Sequence, residues 1–526
     1  TSAKVLVNQG QIHEAIKVYE QAVAQTPLRP EAYSDLGNAF MRLNGHSQAI
    51  EMFSRAIEID PHSAIYHNNI ALALMETAQS GSAIKHLQRA IKLSPHISDL
   101  FHNLGDALKT QGEFEDAEVN YRKAITLRPT AYQTRYNLAN MLLSLDRHAE
   151  ALVEFRHAIE IEPDLPEAYN NIGLILALNK ATIPQAIQHY DKALQLKPGY
   201  DDAMVNKSYA LLKTGDFKQA WPLHEHRKDN LDFQRLETRL VPWTRTLNND
   251  KKPRVLALAE QGIGDEIMLA ALIPELRALC SALTLTLDER LIPLFRRSFG
   301  DTIRYVERYA SISDDAFDSH ILIGSLPLFF RNEEADFLAS SAGYLKADPQ
   351  RTRELRAQLS QGSPEQIIGI SWRSSSETTG ELRSLELEAF LKPLIQTGRR
   401  FVNLQYGDSR KEVAEVTERL RLSLDIDIDI LSIDMIDNLT DLDGLAALIS
   451  ACDKVVSTAN ATVHLAGALN KETHALLTTT ADWRWQTERS HSPWYQSVHL
   501  HRQSQPGQWD DVLASIAMSL DTRSAL

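Results

Sequence analysis

Alanine recurs every 34 residues, at Ala15, Ala49, Ala83, Ala117 and Ala151, and proline keeps the same step at Pro27, Pro61, Pro95, Pro129 and Pro163. A period of this length fits one pair of helices per cycle, and such a pair buries its apolar face only by stacking on its neighbours. The stretches "YSDLGNAF" and "LFHNLGDAL" open first helices. Second helices read "QAIEMFSRAIEIDP" and "DAEVNYRKAITLRP", closed by proline, which cannot continue the backbone ladder. Alanine lets two helices approach, and the aromatic or Leu four residues later falls on the same face. A one-residue insertion in "LNKATIPQA" moves the next markers to Ala186 and Pro198, and Ala220 ends the series. The period predicts an α-solenoid over residues 1–228, with a partial first repeat, five complete repeats and a degenerate last one around a concave surface.

The chain has 526 residues, room for three or four domains at roughly 150 residues each, so the repeats leave space for more. With 43% hydrophobic residues it can bury large cores. A net charge of −14 argues against nucleic-acid or membrane-surface binding, which calls for a basic face. No apolar run reaches the roughly 18 residues of a transmembrane segment. Cys280 and Cys452 are too few for a disulfide framework or a cysteine metal site, which points to a reducing, cytoplasmic setting. The sequence opens without Met and inside a repeat, so whether a segment precedes Thr1 stays open.

One repeat position has a second use. The residue before the first-helix Leu, Ile or equivalent is Asp35, then Asn69, Asn103, Asn137, Asn171 and Asn206. An Asn amide offers a donor and an acceptor that match the C=O and N–H of a peptide unit, so a row of them can hold an extended chain by its backbone. The competing reading is ordinary repeat packing.

The pattern changes after the repeats. Residues 229–250 read as a connector, and from 251 onward strand-like runs alternate with helical ones. These runs are "RVLALAE", "LTLTLD", "IRYVE" and "SHILIG", then "IIGISWR", "RFVNLQYG", "DIDIDILS", "KVVSTAN" and "ETHALLT". The stretch "KADPQRTRELRAQLSQGSPEQ" has few large apolar residues and divides the region into 251–350 and 351–526. Two Rossmann-like α/β domains are expected, with ligands in a cleft outside the carboxyl ends of their strands.

In "EQGIGDEIMLA" the glycines sit in a strand-to-helix turn, but the third glycine of a dinucleotide loop is replaced by Ile267. Asp265 and Glu266 lie where a pyrophosphate would approach and would repel it. Gly262 and Gly264 let the loop come close to a bound substrate. The second half has a different kind of turn in "ACDKVVSTANATVHLAGAL". Its N–H groups at Asn460, Ala461 and Thr462 form a metal-free phosphate site at a helix N-terminus. Arg373 and Arg383 follow strand ends, where a guanidinium can bind phosphate oxygens and offset a leaving group. His464 can be a base, a phosphate contact or packing. The aspartates of "DIDIDILSIDMIDNLTDLDG" alternate with Ile and read as a strand with a polar face followed by a helix start rather than a calcium site. Trp483, Trp485, Trp494 and Tyr495 can stack on a sugar or base, though packing is the favoured reading.

These segments carry a family resemblance. "GIGDEIM", "IGISWRSSS...LRSLEL", "FVNLQYG" and "NATVHLAGALNKETHALL...DWRWQTERSHSPWY" resemble the bacterial tetratricopeptide-repeat glycosyltransferases whose catalytic half is similar to heptosyltransferases. The repeats resemble those of O-linked N-acetylglucosamine transferases, where an asparagine ladder grips the acceptor polypeptide. The resemblance implies a GT-B fold and a metal-independent enzyme with a nucleotide-sugar co-substrate and no other cofactor. It places donor contacts at Gly262, Gly264, Arg373, Arg383, Gln405, Asn460, Ala461, Thr462 and His464. It makes Asp265 the general base, with Glu266 as helper. The turn "TANAT" departs from the Asp-Thr/Ser turn usual in heptosyltransferases, so the donor need not be an ADP-heptose.

The expected function is transfer of a sugar to Ser or Thr of a polypeptide held by the repeats. By analogy with flagellin glycosyltransferases of this layout, flagellin is one acceptor class. The alternatives are a transferase acting on lipopolysaccharide or another glycan, and an inactive repeat scaffold.

Overall fold

The computed structural model describes residues 2–230, 240–245, 252–338, 342–360, 365–375, 380–396, 398–424, 428, 430–480 and 482–521. The chain divides into two compact units: residues 1–175 with 191–198, and residues 176–190 with 199–526.

The first unit is a helical solenoid of tetratricopeptide type. Its helices alternate as the period requires, for example Pro30–Arg42 with His46–Ile59, and Ser98–Gln111 with Phe114–Leu127. The marker alanines and the bulky residue four places on are fully enclosed: Ala49 with Phe53, Ala117 with Tyr121, and Ala151 with Phe155 are all 0% exposed. Glycine in "LGNA" and "LGDA" has a packing reason. A Cβ on Gly37 would lie 2.6 Å from the Phe53 ring, and one on Gly105 would lie 2.7 Å from Tyr121. Helices end where one residue turns left-handed, at Asn44, Ala78, Gly112 and Asp146.

The second unit is built on two parallel sheets. The first contains β1 (Val241–Pro242), β2 (Arg254–Leu258), β3 (Ala282–Leu287), β4 (Ile303–Glu307) and β5 (Ser319–Leu322), in the order β1-β5-β2-β3-β4. The second contains β6 (Gln366–Ser371), β7 (Arg399–Asn403), β8 (Ile430–Leu431), β9 (Lys454–Thr458), β10 (Thr473–Leu477) and β11 (Val498–Arg502). Its order, β11-β10-β9-β6-β7-β8, is that of a doubly wound sheet. β9 and β10 are buried along their whole length, as parallel strands covered on both faces must be.

Two boundaries differ from the sequence reading, and the divider within the α/β region is itself helical. The helices Asp201–Thr214 and Phe217–His224, which the period assigns to the solenoid, belong to the α/β unit. Trp221, 1% exposed, donates its indole N–H to the Arg331 carbonyl at 2.6 Å, and the Phe217 ring lies 4.7 Å from that of Phe337. The degenerate repeat keeps its helices and turns their apolar face onto the sheet domain. The connector 229–250 contributes β1 and the buried Trp243, whose N–H donates to the His320 carbonyl at 2.7 Å. Its residues 231–239 and 246–250 lie outside the described residues. The apolar-poor divider holds the helix Pro349–Ser360, which buries only Leu355 and Leu359 and ties Arg351 to Asp441 at 2.6 Å.

Of the run "DIDIDILS", residues 425–427 and 429 lie outside the described residues, and β8 covers Ile430–Leu431. The aspartates that follow hold turns. Asp437 accepts from the Leu439 and Thr440 N–H groups, and Asp441 caps the helix Leu442–Ala451 through the Gly444 N–H. Among the described residues, no helix is long and apolar enough to cross a membrane.

Candidate functional site

In each sheet, neighbouring strands whose connections leave in opposite directions open a crevice at their carboxyl ends. In the second sheet these strands are β6 and β9. Asn460, just past β9, fastens the two exits together: its amide donates to the Ser371 hydroxyl at 2.8 Å and to the Arg373 carbonyl at 2.9 Å. Its Oδ1 accepts from the Thr462 N–H at 2.9 Å and caps the helix Ala461–Ala468. Gln405, past β7, completes the frame. Its Oε1 accepts from the Trp372 and Arg373 N–H groups at 2.9 Å and from the Ser371 hydroxyl at 3.2 Å. Gln405 is 2% exposed, so its amide shapes the turn from below.

In the first sheet the crevice lies beyond β2. Gly262 is extended and begins the helix Ile263–Leu269, and its carbonyl accepts from the Asp265 and Glu266 N–H groups. Neither Gly262 nor Gly264 has a positive φ, so the turn does not use glycine's conformational freedom. Gly264 is required by proximity: a Cβ there would meet the His464 ring at 3.0 Å, where this helix crosses Ala461–Ala468.

Between these exits lies a cavity of about 770 Å³. Of the residues singled out in the sequence, Gly262, Gly264, Asp265, Arg383, Asn460, Ala461, Thr462, His464 and Trp485 line it. Three others sit elsewhere. Glu266 is 1% exposed, accepts from the Asp288 N–H at 2.9 Å and pairs with Arg308, so its charge is taken up beneath the turn. Arg373 points its guanidinium at Glu412, 2.7 Å away, and only its backbone joins the frame. Gln405 acts through that backbone. The phosphate-site donors are also partly used, since the Thr462 N–H is capped by Asn460.

The charge in the cavity comes largely from residues the sequence reading did not single out. Arg484 donates through Nε to Asp265 at 2.6 Å and through Nη1 to Asp482 at 2.7 Å, while its guanidinium covers the Trp483 ring at 4.5 Å. Burial disfavours the charge on Arg484, but Asp265 and Asp482 override it and raise the pKa. Burial likewise raises Asp482, and Arg484 with Arg383 reverses the shift and leaves it lowered. Arg383 approaches Asp482 only to 3.8 Å, a looser contact. Arg290 grips Asp288 through two nitrogens at 2.8 Å, and its side-chain hydrogen bond holds that carboxyl below its ordinary range. Asp288 directly follows β3 and Arg308 directly follows β4, so a search just past every strand end would have found both. Arg484 was visible only as the basic residue of "DWRWQ", between two tryptophans that drew attention to packing.

His464 is enclosed rather than poised for proton transfer. Burial, with Arg484 and other charges nearby, pushes it down to about 3. Its Nδ1 lies 3.0 Å from the Tyr495 hydroxyl and its ring stacks on Trp485 at 5.0 Å. A neutral ring gives a phosphate no charge. Trp485, Trp494 and Tyr495 are all buried, and Trp483 stacks on Tyr209 at 6.4 Å.

In the solenoid these asparagines are tied to the repeat before them rather than to one another. Asn103, Asn137 and Asn171 each donate an amide N–H to the preceding repeat, to Asn68 at 2.7 Å, Asp106 at 2.9 Å and Asn140 at 2.8 Å. Asn69 reaches Ser34 and Asn38 at longer range, 3.4 and 3.5 Å. Asn206 belongs to the second unit.

Tetratricopeptide-repeat family models match residues 1–64, 34–96 and 98–130, and a TPR-repeat model matches 139–180. Protein FlbA of Caulobacter vibrioides is 29% identical over 418 residues, covering 68% of this chain and 67% of FlbA. The matched 68% of the chain is longer than either the repeat region or the α/β region alone, so the similarity reaches into both. Among solved structures, MamA is 24% identical over 31% of this chain and 95% of its own, with a TM-score of 0.29. YrrB, described as a TPR protein with an unusual peptide-binding site, is 21% identical over 36% of this chain and 97% of its own, with a TM-score of 0.31. The amino-terminal region is thus a tetratricopeptide-repeat array, and the chain is similar to FlbA over about two thirds of its length.

Proposed function

We propose that this protein is a metal-independent O-glycosyltransferase of GT-B type that moves a sugar from a nucleotide-activated donor to Ser or Thr of a polypeptide held by its repeats. The observation that carries the reading is the cavity at the carboxyl ends of two parallel sheets, with Asp265 on the first sheet's side and Arg383 and Arg484 on the second's. Asp265 takes the hydroxyl proton. Arg383 and Arg484, with the helix start at Ala461, offset the charge that develops on the departing phosphate. Guanidinium groups and backbone dipoles supply what a divalent metal supplies elsewhere. In the solenoid, an amide has two N–H groups and two lone pairs, so one bond to the preceding repeat orients Asn103, Asn137 and Asn171 without exhausting them. Their remaining capacity suits a peptide backbone. Flagellin is one acceptor class.

The test is mass spectrometry of proteins from cells with the wild-type protein, without it, and with Asp265→Asn. A glycan that depends on the wild-type protein and falls by on the order of a hundredfold in the variant, with transfer in extracts resistant to chelation, is the expected result. A glycan found only on lipid or polysaccharide would redirect the acceptor. No change between the three strains would leave a scaffold.

A further inference from the structure

We propose that Arg484 is a positioning residue shared between Asp265 and the donor's phosphate, so that anion binding releases Asp265 to act as base. The inference rests on the transferase reading above. A guanidinium has five N–H donors in one plane. In Arg484, Nε is engaged by Asp265 at 2.6 Å, Nη1 by Asp482 at 2.7 Å and Nη2 by the Gln261 side chain at 3.3 Å. Each terminal nitrogen therefore keeps one further N–H, and Arg484 and Asp265 are both among the residues that line the cavity. The side chains of Arg484 and Asp265 are 17% and 14% exposed, so little water screens their attraction.

Asp265 accepts the Arg484 hydrogen bond through Oδ1. Without a donor, that contact occupies the carboxylate and competes with an incoming hydroxyl. A phosphate brought in by Arg383 competes for the same guanidinium charge and loosens that hold. Arg383 is suited to this role because its own carboxylate contact is long. In the transfer step the acceptor oxygen bonds to the anomeric carbon as its proton passes to Asp265. The bond from that carbon to the phosphate oxygen breaks, and the electron pair leaves on the phosphate beside Arg484. The proton is lost to solvent as nucleotide departs. Acceptor and donor are thereby ordered: the base is freed only when there is a donor to attack.

Competition has a signature that a merely structural ion pair lacks. Removing the charge of Asp265 should strengthen phosphate binding, because Arg484 no longer serves two anions. The experiment is calorimetric titration of the whole protein with UDP, GDP, ADP, CMP and inorganic pyrophosphate in chelator. The variants are Asp265→Asn, Arg484→Gln, Arg484→Lys and the double variant Asp265→Asn with Arg484→Gln, each checked for an unchanged melting profile. For whichever probe binds the wild type, Asp265→Asn should bind about fivefold or more tighter. Arg484→Gln should bind roughly tenfold weaker, Arg484→Lys should recover part of that loss, and the double variant should show no gain over Arg484→Gln. Equal affinity of wild type and Asp265→Asn would overturn the shared charge while leaving donor binding intact. Full affinity in Arg484→Gln would do the same. Failure of the wild type to bind any probe would refute the donor reading itself, and the shared charge with it.

Discussion

Close approach explains glycine at Gly264 and Gly467 but not at Gly262, and none of the three has a positive φ. Gly262 has no atom within 4 Å of the position a Cβ would take. Gly264 has the His464 ring at 3.0 Å, and that ring cannot yield easily because Trp485 and Tyr495 hold it. Gly467 has the ring of the fully buried Tyr495 at 2.4 Å. Alanine should therefore cost least at Gly262 and more at Gly264, by about 1–3 kcal/mol as for other overpacked sites. It should cost most at Gly467. Thermal melts of the three variants check the ranking; equal losses at Gly262 and Gly264 would remove the His464 contact as the reason for glycine. The same scale shows what the sequence could and could not disclose about the site. Asp265 was readable because a carboxylate at a glycine turn is chemically distinctive wherever the turn lies. Its partner Arg484 is 219 residues away, and no local pattern links the two. Glu266 reads in the sequence as a helper to Asp265, but adjacent helical residues point about 100° apart, and the neighbour falls under the turn.

At the scale of elements, strands were legible where apolar and β-branched residues cluster in a short run, as in β2 (RVLAL) and β6 (QIIGIS). β11 was missed because "VHLHR" carries two histidines and an arginine, yet it pairs along its whole length with β10. β1 was missed because two residues have no period. The histidines of β11 have a consequence for stability. His499 pairs in register with His474, their rings stack at 5.0 Å, and His491 lies 4.6 Å from His499. His501 Nε2 lies 3.0 Å from His474 Nδ1, with Ser515 at its other nitrogen and Glu472 and Lys454 at the cluster's edge. Burial, then the neighbouring histidines, pushes His499 and His501 down to about 4 from an ordinary 6.5. Between those values the unfolded chain binds protons that the folded chain does not. Stability is then complete above about pH 6.5 and falls as the pH drops toward 4, by at most about 1.4 kcal/mol per pH unit for each histidine. His501→Gln should flatten that slope relative to wild type. All seven tryptophans lie at or beyond Trp221, so denaturation followed by tryptophan fluorescence reads the unit that contains the cluster. An unchanged slope would place the acid sensitivity elsewhere.

At the scale of the whole molecule, the period in the sequence and the packing of the chain place the same boundary differently, and truncation decides between them. Repeat arithmetic ends the solenoid at 228, which makes residues 229–526 a self-sufficient α/β region. Packing ends it earlier. Leu211, Leu212, Phe217, Ala220 and Trp221 belong to one apolar core with Val255, Ile267 and Trp485. Trp221 also donates a buried hydrogen bond to Arg331, and Thr487 pairs its backbone N–H with the Lys213 carbonyl at 3.1 Å. Arg227 forms an ion pair with Glu260 at 2.7 Å, with side chains 4% and 0% exposed. A chain starting at 229 loses all of these at once and leaves Glu260 buried without its cation. Truncating a single buried aromatic costs about 3–5 kcal/mol, and stranding one partner of a buried pair costs a similar amount. Together these exceed much of the roughly 5–15 kcal/mol that holds a domain folded. A chain starting at 177 keeps every one of them. The 177–526 fragment should therefore unfold cooperatively by tryptophan fluorescence and keep whatever nucleotide affinity the full chain has, while the 229–526 fragment should aggregate or unfold without a transition. Cooperative unfolding of the shorter fragment would return the last two helices to the solenoid.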